Sequence, residues 1–204
     1  LGNLTLLTSL FTVPAAVRAI KADSGCRVDA LIAAGHVCAV TGLEDYKALA
    51  REFSMPVVVG GFEPADMLLA ILRAVEMLER SETGVANAYS RAVAPDGNPT
   101  ARKMTEHVFR LCDTRWRGIG TIPDSGMILA PEFEQFDASK RFKTIFTQGD
   151  EDTHGCIAAR IMKGECSPAD CPHFGKGCTP TSPIGAPMVS AEGVCAAHYR
   201  YNRQ

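Results

Sequence analysis

Five of the chain's eight cysteines fall between Cys156 and Cys195, in a stretch where glycine and proline are dense and large aliphatic residues are few. A segment of that composition cannot bury enough apolar surface to build its own core, so it needs a staple. In order, Cys156, Cys171, Cys178 and Cys195 give C-x14-C-x6-C-x16-C, which matches none of the paired CxxC spacings of zinc ribbons or RING-like sites. Four thiolates hold tetrahedral zinc or an iron–sulfur cluster alike, and ligand softness does not separate the two. The intervening loops carry Gly164, Pro168, Gly175, Gly177, Pro180, Pro183 and Gly185, which let backbone wrap a bulky group and turn amides toward sulfur. An iron–sulfur cluster is the first expectation, with structural zinc and disulfides as the alternatives. Cys166 reads as a spare thiol in a turn set by Gly164 and Pro168. His154, His173 and His198 read as surface groups or as partners of the ligands, because four thiolates already complete a site.

Upstream, strand and helix patterns alternate. LTLLTSL (4–10), VDALIAA (28–34) and PVVVGG (56–61) read as strands, and residues 84–89 as a fourth. The helices between them start at Pro14, at Glu44, where Tyr46, Leu49 and Phe53 share a face, and at Pro64. The last runs to Arg80 with Met67, Leu68, Ile71, Leu72, Val75 and Leu78 as its apolar stripe. Pro99 to Cys112 reads as a further amphipathic helix. The PVVVGG run is continuous rather than alternating, as in a strand covered on both faces. The pattern predicts an α/β domain over 1–113, with a mainly parallel sheet and helices on both faces. An extended connector should follow over 114–150, where WRGIGTIPDSG is rich in turn residues, and then a small irregular cysteine-rich domain over 151–204.

With 21 basic and 23 acidic side chains the net charge is -2, and no long single-sign run offers a footprint for nucleic acid or for a membrane surface. The absence of a signal-peptide pattern and of a spanning apolar stretch makes a cytoplasmic location the default expectation. The chain opens on Leu1 and runs at once into apolar residues, so natural sequence is expected upstream.

Candidate site residues outside the cysteine group lie where strands end. Gly35, His36 and Cys38 follow the second strand, at the carboxyl edge where open α/β sheets place ligands. His36 could carry a proton and Cys38 could act in redox chemistry; alternatively they form a tight turn with Cys38 packed as a small apolar residue. Gly60, Gly61, Phe62 and Glu63 open the long helix, with Glu63 and Asp66 suiting an ordinary first turn. Tyr89, Ser90 and Arg91 read as a loop anchor, and Trp116 as a packing anchor.

PADCPHFGKGCTPTSPIGAPMVSAEGVCAAHYRY resembles the C-terminal signature of the hydrogenase maturation factor HypD family. AAGHVCAVTGLEDY (33–46), VVVGGFEPADML (57–68), NAYSRAV (87–93), WRGIGTIPDSG (116–126) and FDASKRF (136–142) are similar to that family in the same order. The resemblance implies a [4Fe-4S] cluster on Cys156, Cys171, Cys178 and Cys195. It also implies a maturation scaffold with a redox role, rather than a free-standing catalyst, in building the Fe(CN)2CO centre of [NiFe] hydrogenases. Implied partners are a small chaperone of the HypC type and cyanide-delivering proteins of the HypE and HypF type. Ala158 and Pro187 stand where many relatives carry further cysteines. A GPGCPVC-like phrase, whose cysteine would hold the nascent iron, does not occur here, so that iron is expected on an N-terminal domain this chain lacks. The rival readings are a structural zinc protein and a small-molecule α/β enzyme using His36, Cys38 and Glu63.

Overall fold

The computed structural model describes residues 2–142 and 155–202. The fully buried strand β3 (Pro56–Gly60) is the centre of a three-stranded parallel sheet, flanked by β2 (Leu31–Ala34) and β4 (Gly84–Asn87). Its register pairs Val58 with Ile32 on one side and with Ala86 on the other. Because side chains alternate along a strand, consecutive valines serve opposite faces. Val57 and Val59 pack with Cys38 of α2 (Gly35–Thr41) and with Leu49 and Ala50 of α3 (Glu44–Glu52), whereas Val58 packs with Ala70, Ala74 and Met77 of α4 (Pro64–Glu79). The expectation of helices on both faces of a parallel sheet holds for this half.

The long helix sits about a third of a turn away from the orientation its apolar stripe suggests. Small Ala70 and Ala74 let α4 lie close on β3, while Met67, Leu68, Ile71, Leu72, Val75 and Leu78 are exposed. Gly60 is part of that close approach, since a side chain there would meet the Ala70 methyl at 2.8 Å. The helix begins as its sequence directs, with Glu63 in extended geometry at the N-cap and Pro64 in the first turn.

The remaining strands depart from expectation. The run at 4–10 is not a strand of the parallel sheet; only Leu10–Phe11 (β1) is extended, and it pairs antiparallel with β6 (Gly120–Leu129). Leu6 makes an isolated bridge with Asp137, and Leu4 and Leu7 stay exposed. The helix starting at Pro99 (α5, Pro99–Val108) stops short of Cys112, because Phe109–Trp116 forms β5. FRLCDTRW alternates half-buried and exposed side chains, the period of a strand with one wet face. β5 and β6 form a hairpin whose turn uses Gly118 and Gly120 at positive φ. The described residues therefore form two three-stranded sheets, one parallel and one antiparallel, rather than one mainly parallel sheet. The expected boundary at 113 falls inside β5, and the first part of the expected connector, up to Leu129, is hairpin. No helix among the described residues is long and apolar enough to cross a membrane.

The cysteine-rich stretch folds as short helices joined by turns: α7 (Ala158–Met162), a 3-10 turn at Pro168–Asp170, α8 (Ala186–Val189) and α9 (Val194–Tyr201). Ser167 and Asp170 close a capping box around the 3-10 turn. This stretch is fastened to the loop after α1 (Val13–Lys21): the Arg27 N–H donates to the Lys163 carbonyl at 2.8 Å, and the Lys163 ammonium pairs with Asp23 at 3.1 Å.

Candidate metal centre

The core of the C-terminal stretch is partly made of thiols. Cys178 and Cys195 are buried with Ile161, Met188 and Ala196, and Cys166 packs against the same cluster. Cys195 enters it from the first turn of α9, and Cys178 from the turn after Phe174. Burial pushes the Cys195 thiol up to about 11, with further upward pressure from Cys156, Cys178, Cys171 and Cys166. Burial likewise raises Cys156; the Ala158 amide lowers it, and Cys171 and Cys178 raise it. Cys156, Cys171 and Cys178 lie within electrostatic reach of Cys195, and so does the supposed spare thiol Cys166, which also packs against the same core. All eight cysteines are unpaired thiols, so disulfides do not staple the segment here.

The donor set has the chemistry a thiolate-bound metal group requires. The sulfurs are soft, mutually repelling once ionised, and served by backbone amides: Ile184 N–H donates to Cys178 Sγ at 3.4 Å, and Ala158 N–H stabilises the Cys156 thiolate. Gly185 forms a cradle, because any side chain there would run into Cys156 Sγ. No three His, Cys, Asp or Glu side chains among the described residues close on a single-ion site. His198 points its Nδ1 at the Asn202 amide at 3.0 Å and packs edge-on against Phe174, so it serves the wall and not the sulfurs. His154 lies outside the described residues.

A second polar group forms at the carboxyl ends of β2, β3 and β4. The His36 and Phe62 rings meet at a centroid distance of 4.9 Å, which brings together the first turn of α2, carrying His36, and the start of α4, capped by Glu63. Cys38 faces the other way: it is fully buried, and burial pushes its thiol up to about 11, so it packs as a small apolar residue. Glu63 accepts from Arg91 at 2.6 Å, and the same guanidinium grips both oxygens of buried Asp66 at 2.6 Å. The Arg91 side chain lies over the Tyr89 ring at 4.5 Å, and Tyr89 in turn requires glycine at 35 and 61, where a methyl would come within 2.5 and 2.7 Å of the ring. These hydrogen bonds hold the Asp66 carboxyl below the usual carboxylate range. Sequence reasoning treated Asp66 as an ordinary first-turn acid; an acid three residues after Glu63, with an arginine just past the next strand, was the available signal.

The chain matches the HypD family, described as a hydrogenase formation family, over residues 1–202. It is 40% identical over 185 residues to hydrogenase maturation factor HypD1 of Bradyrhizobium diazoefficiens, covering 90% of this chain and 48% of that protein. It is 39% identical over 210 residues to HypD of Rhizobium leguminosarum bv. viciae, covering 100% of this chain and 54% of the relative. The HypD of Azotobacter vinelandii is 38% identical over 210 residues, with coverage of 100% and 55%. The chain spans about half the length of the curated relatives it matches. A match across nearly the whole sequence, with relatives about 40% identical over most of it, places the chain in the HypD family of hydrogenase maturation factors.

Proposed function

We propose that Cys156, Cys171, Cys178 and Cys195 hold a [4Fe-4S] cluster, and that the chain serves as scaffold and redox factor in assembly of the Fe(CN)2CO centre of [NiFe] hydrogenases. The observation that carries this reading is the packing of Cys178 and Cys195 in one buried core, with Cys156 and Cys171 in electrostatic reach and a backbone amide directed at the Cys178 sulfur. Membership of the HypD family, with the long glycine- and proline-rich loops between the four cysteines, favours a cluster over zinc.

A cluster bound there supplies one electron at a time. The chain's own residues do the rest. Ile161, Met188 and Ala196 exclude water around the sulfurs, the Ile184 and Ala158 amides offset thiolate charge, and Gly185 leaves room for Cys156. The iron under construction is cargo; we assign its cysteine to the half of the longer relatives that has no counterpart here. A small chaperone of the HypC type and cyanide-delivering proteins of the HypE and HypF type are the proposed partners, in the cytoplasm. The sheet-end group of His36, Glu63, Asp66 and Arg91 fits a positioning role better than turnover, since Glu63 and Asp66 are already occupied by Arg91.

Anaerobic purification followed by iron, sulfide and zinc analysis with visible absorption tests the assignment. About four irons and four sulfides per chain are expected, lost on replacing any of the four cysteines with serine. Stoichiometric zinc without iron or sulfide would overturn it.

A further inference from the structure

The long helix α4 presents two apolar faces. Ala70, Ala74 and Met77 meet Val58 of the parallel sheet. About a third of a turn away lie Leu68, Ile71, Val75 and Leu78, at successive spacings of three, four and three residues. That is the spacing by which one helix seats its side chains between those of another. Among the described residues these four keep much of their surface in solvent, from 41% at Leu78 to 68% at Leu68. A helix that is apolar around so much of its circumference is ordinarily covered on both sides.

The face asks its cover for apolar surface and not for charge. Arg73 lies on the opposite side of the helix, paired with Glu76 at 3.3 Å and with Glu82 at 3.0 Å, and Asp66 is taken by Arg91. Only Glu79 borders the face, at its C-terminal end.

The row is complementary to itself when a second copy runs antiparallel. About a two-fold axis at the level of Arg73, Leu68 falls opposite Leu78 of the second copy and Ile71 opposite its Val75, so every contact along the row is apolar. With Met67 and Leu72 at the rim, the six side chains offer on the order of 600 Å² per copy, the lower end of what a specific pair needs at about 1,200 Å² in total. We infer that α4 is an interaction surface for a second copy of this chain, joined through Leu68, Ile71, Val75 and Leu78 in a reversible two-fold dimer. The inference stands apart from the cluster reading.

Size exclusion with light scattering on the anaerobically purified chain tests it. The expected mass in concentrated solution is twice the chain's 21.9 kDa, falling to the single mass on dilution because the area is at the low end. Leu68→Glu and Leu78→Lys, both at exposed positions, should each be monomeric with unchanged circular dichroism. Their equimolar mixture should recover the dimer, since a glutamate then faces a lysine on one side of the axis and the Leu68–Leu78 contact is kept on the other. Met104→Glu, at a position 60% exposed on α5, should leave the dimer as it is. A wild-type chain that is monomeric at every concentration, a dimer that survives both α4 substitutions, or a mixture that stays monomeric overturns the inference. Iron and sulfide content, measured separately, decides the cluster reading in each case.

Discussion

Gly185→Ala isolates the cradle around Cys156 from backbone strain. Gly185 has φ -100° and ψ 151°, extended geometry open to any residue, so the substitution carries no conformational penalty of its own. The new methyl would overlap Cys156 Sγ by on the order of 1 Å, judged against an ordinary contact distance of ~3.5–4 Å. Gly185 is also the N-cap of α8, whose Met188 is buried in the thiol core, so the backbone on that side has little room to retreat. The sulfur must move, and a displaced or crowded ligand costs about tenfold to a hundredfold in metal affinity. Iron and sulfide per chain after anaerobic purification in Gly185→Ala should fall to about a tenth of the wild-type content. Gly177→Ala is the control: it lies in the same unit without positive φ, and its methyl would meet only Ile184 Cδ1, at an ordinary 4.0 Å. Circular dichroism and thermal melting would establish that both variants keep their α/β core. Normal loading of Gly185→Ala, or equal loss in Gly177→Ala, would refute the reasoning.

Leu49→Ala, at a fully buried position, should cost about 2–5 kcal/mol and lower Tm by roughly 10 °C, while Leu72→Ala, 55% exposed on α4, should stay within about 0.5 kcal/mol; reversed effects in thermal melts would show that the buried face of α4 is misplaced. Arg91 holds the folded Asp66 carboxyl below its unfolded value of about 3.9, so its stabilisation is present above that pH and is lost as pH falls through the lower folded value. Acid unfolding of Asp66→Asn should therefore be flatter than wild type below about pH 4, and superimposable profiles would count against the clamp. With its thiol pushed up to about 11 by burial, Cys38 should resist iodoacetamide at pH 8 in the folded chain; mass-spectrometric labelling there at the rate of an exposed thiol would show that it is not packed as described.

The parallel sheet was readable because PVVVGG has one physical explanation, a strand covered on both faces, and Pro64 marks the following helix start without ambiguity. The buried face of α4 was not readable from its largest residues. Close helix–sheet approach selects small side chains, so Ala70 and Ala74 take the contact, and a stripe counted by hydrophobicity alone points elsewhere. The hairpin was hidden by a competing pattern: Met104, Val108, Phe109 and Leu111 suit a helix, and only the alternation from Phe109 to Trp116 reveals where β5 takes over. Leucines at 4–10 resemble a buried strand, yet burial depends on what covers them, which a local window does not contain. The crowding of cysteines late in the chain was legible, and their packing was not. Spacing alone kept zinc and cluster together; the packing of Cys166 against Cys178 and Cys195 follows from tertiary contacts with no sequence periodicity.

The two halves of the chain are held by different forces. In the α/β half, Leu49, Val57, Val59 and Tyr46 are removed from water by one another, and the hydrophobic effect alone accounts for their order. In the cysteine half, two of the five core side chains, Cys178 and Cys195, are thiols. A thiol near 11 is protonated at neutral pH, so without a compensating cation Cys195 is a small, weakly polar filler. Ionised on a metal group, the same sulfur becomes a covalent tether between α9 and the loops before it. Such a unit is stiffest when loaded and has little aliphatic packing to replace the tether. Its anchors to the loop after α1 are the Arg27–Lys163 backbone hydrogen bond and the Lys163–Asp23 pair, whose aspartate is exposed and correspondingly weak as a fastener. On the proposed cluster reading, retention of the cluster and order of the cysteine half are one equilibrium, separable from the stability of the parallel sheet.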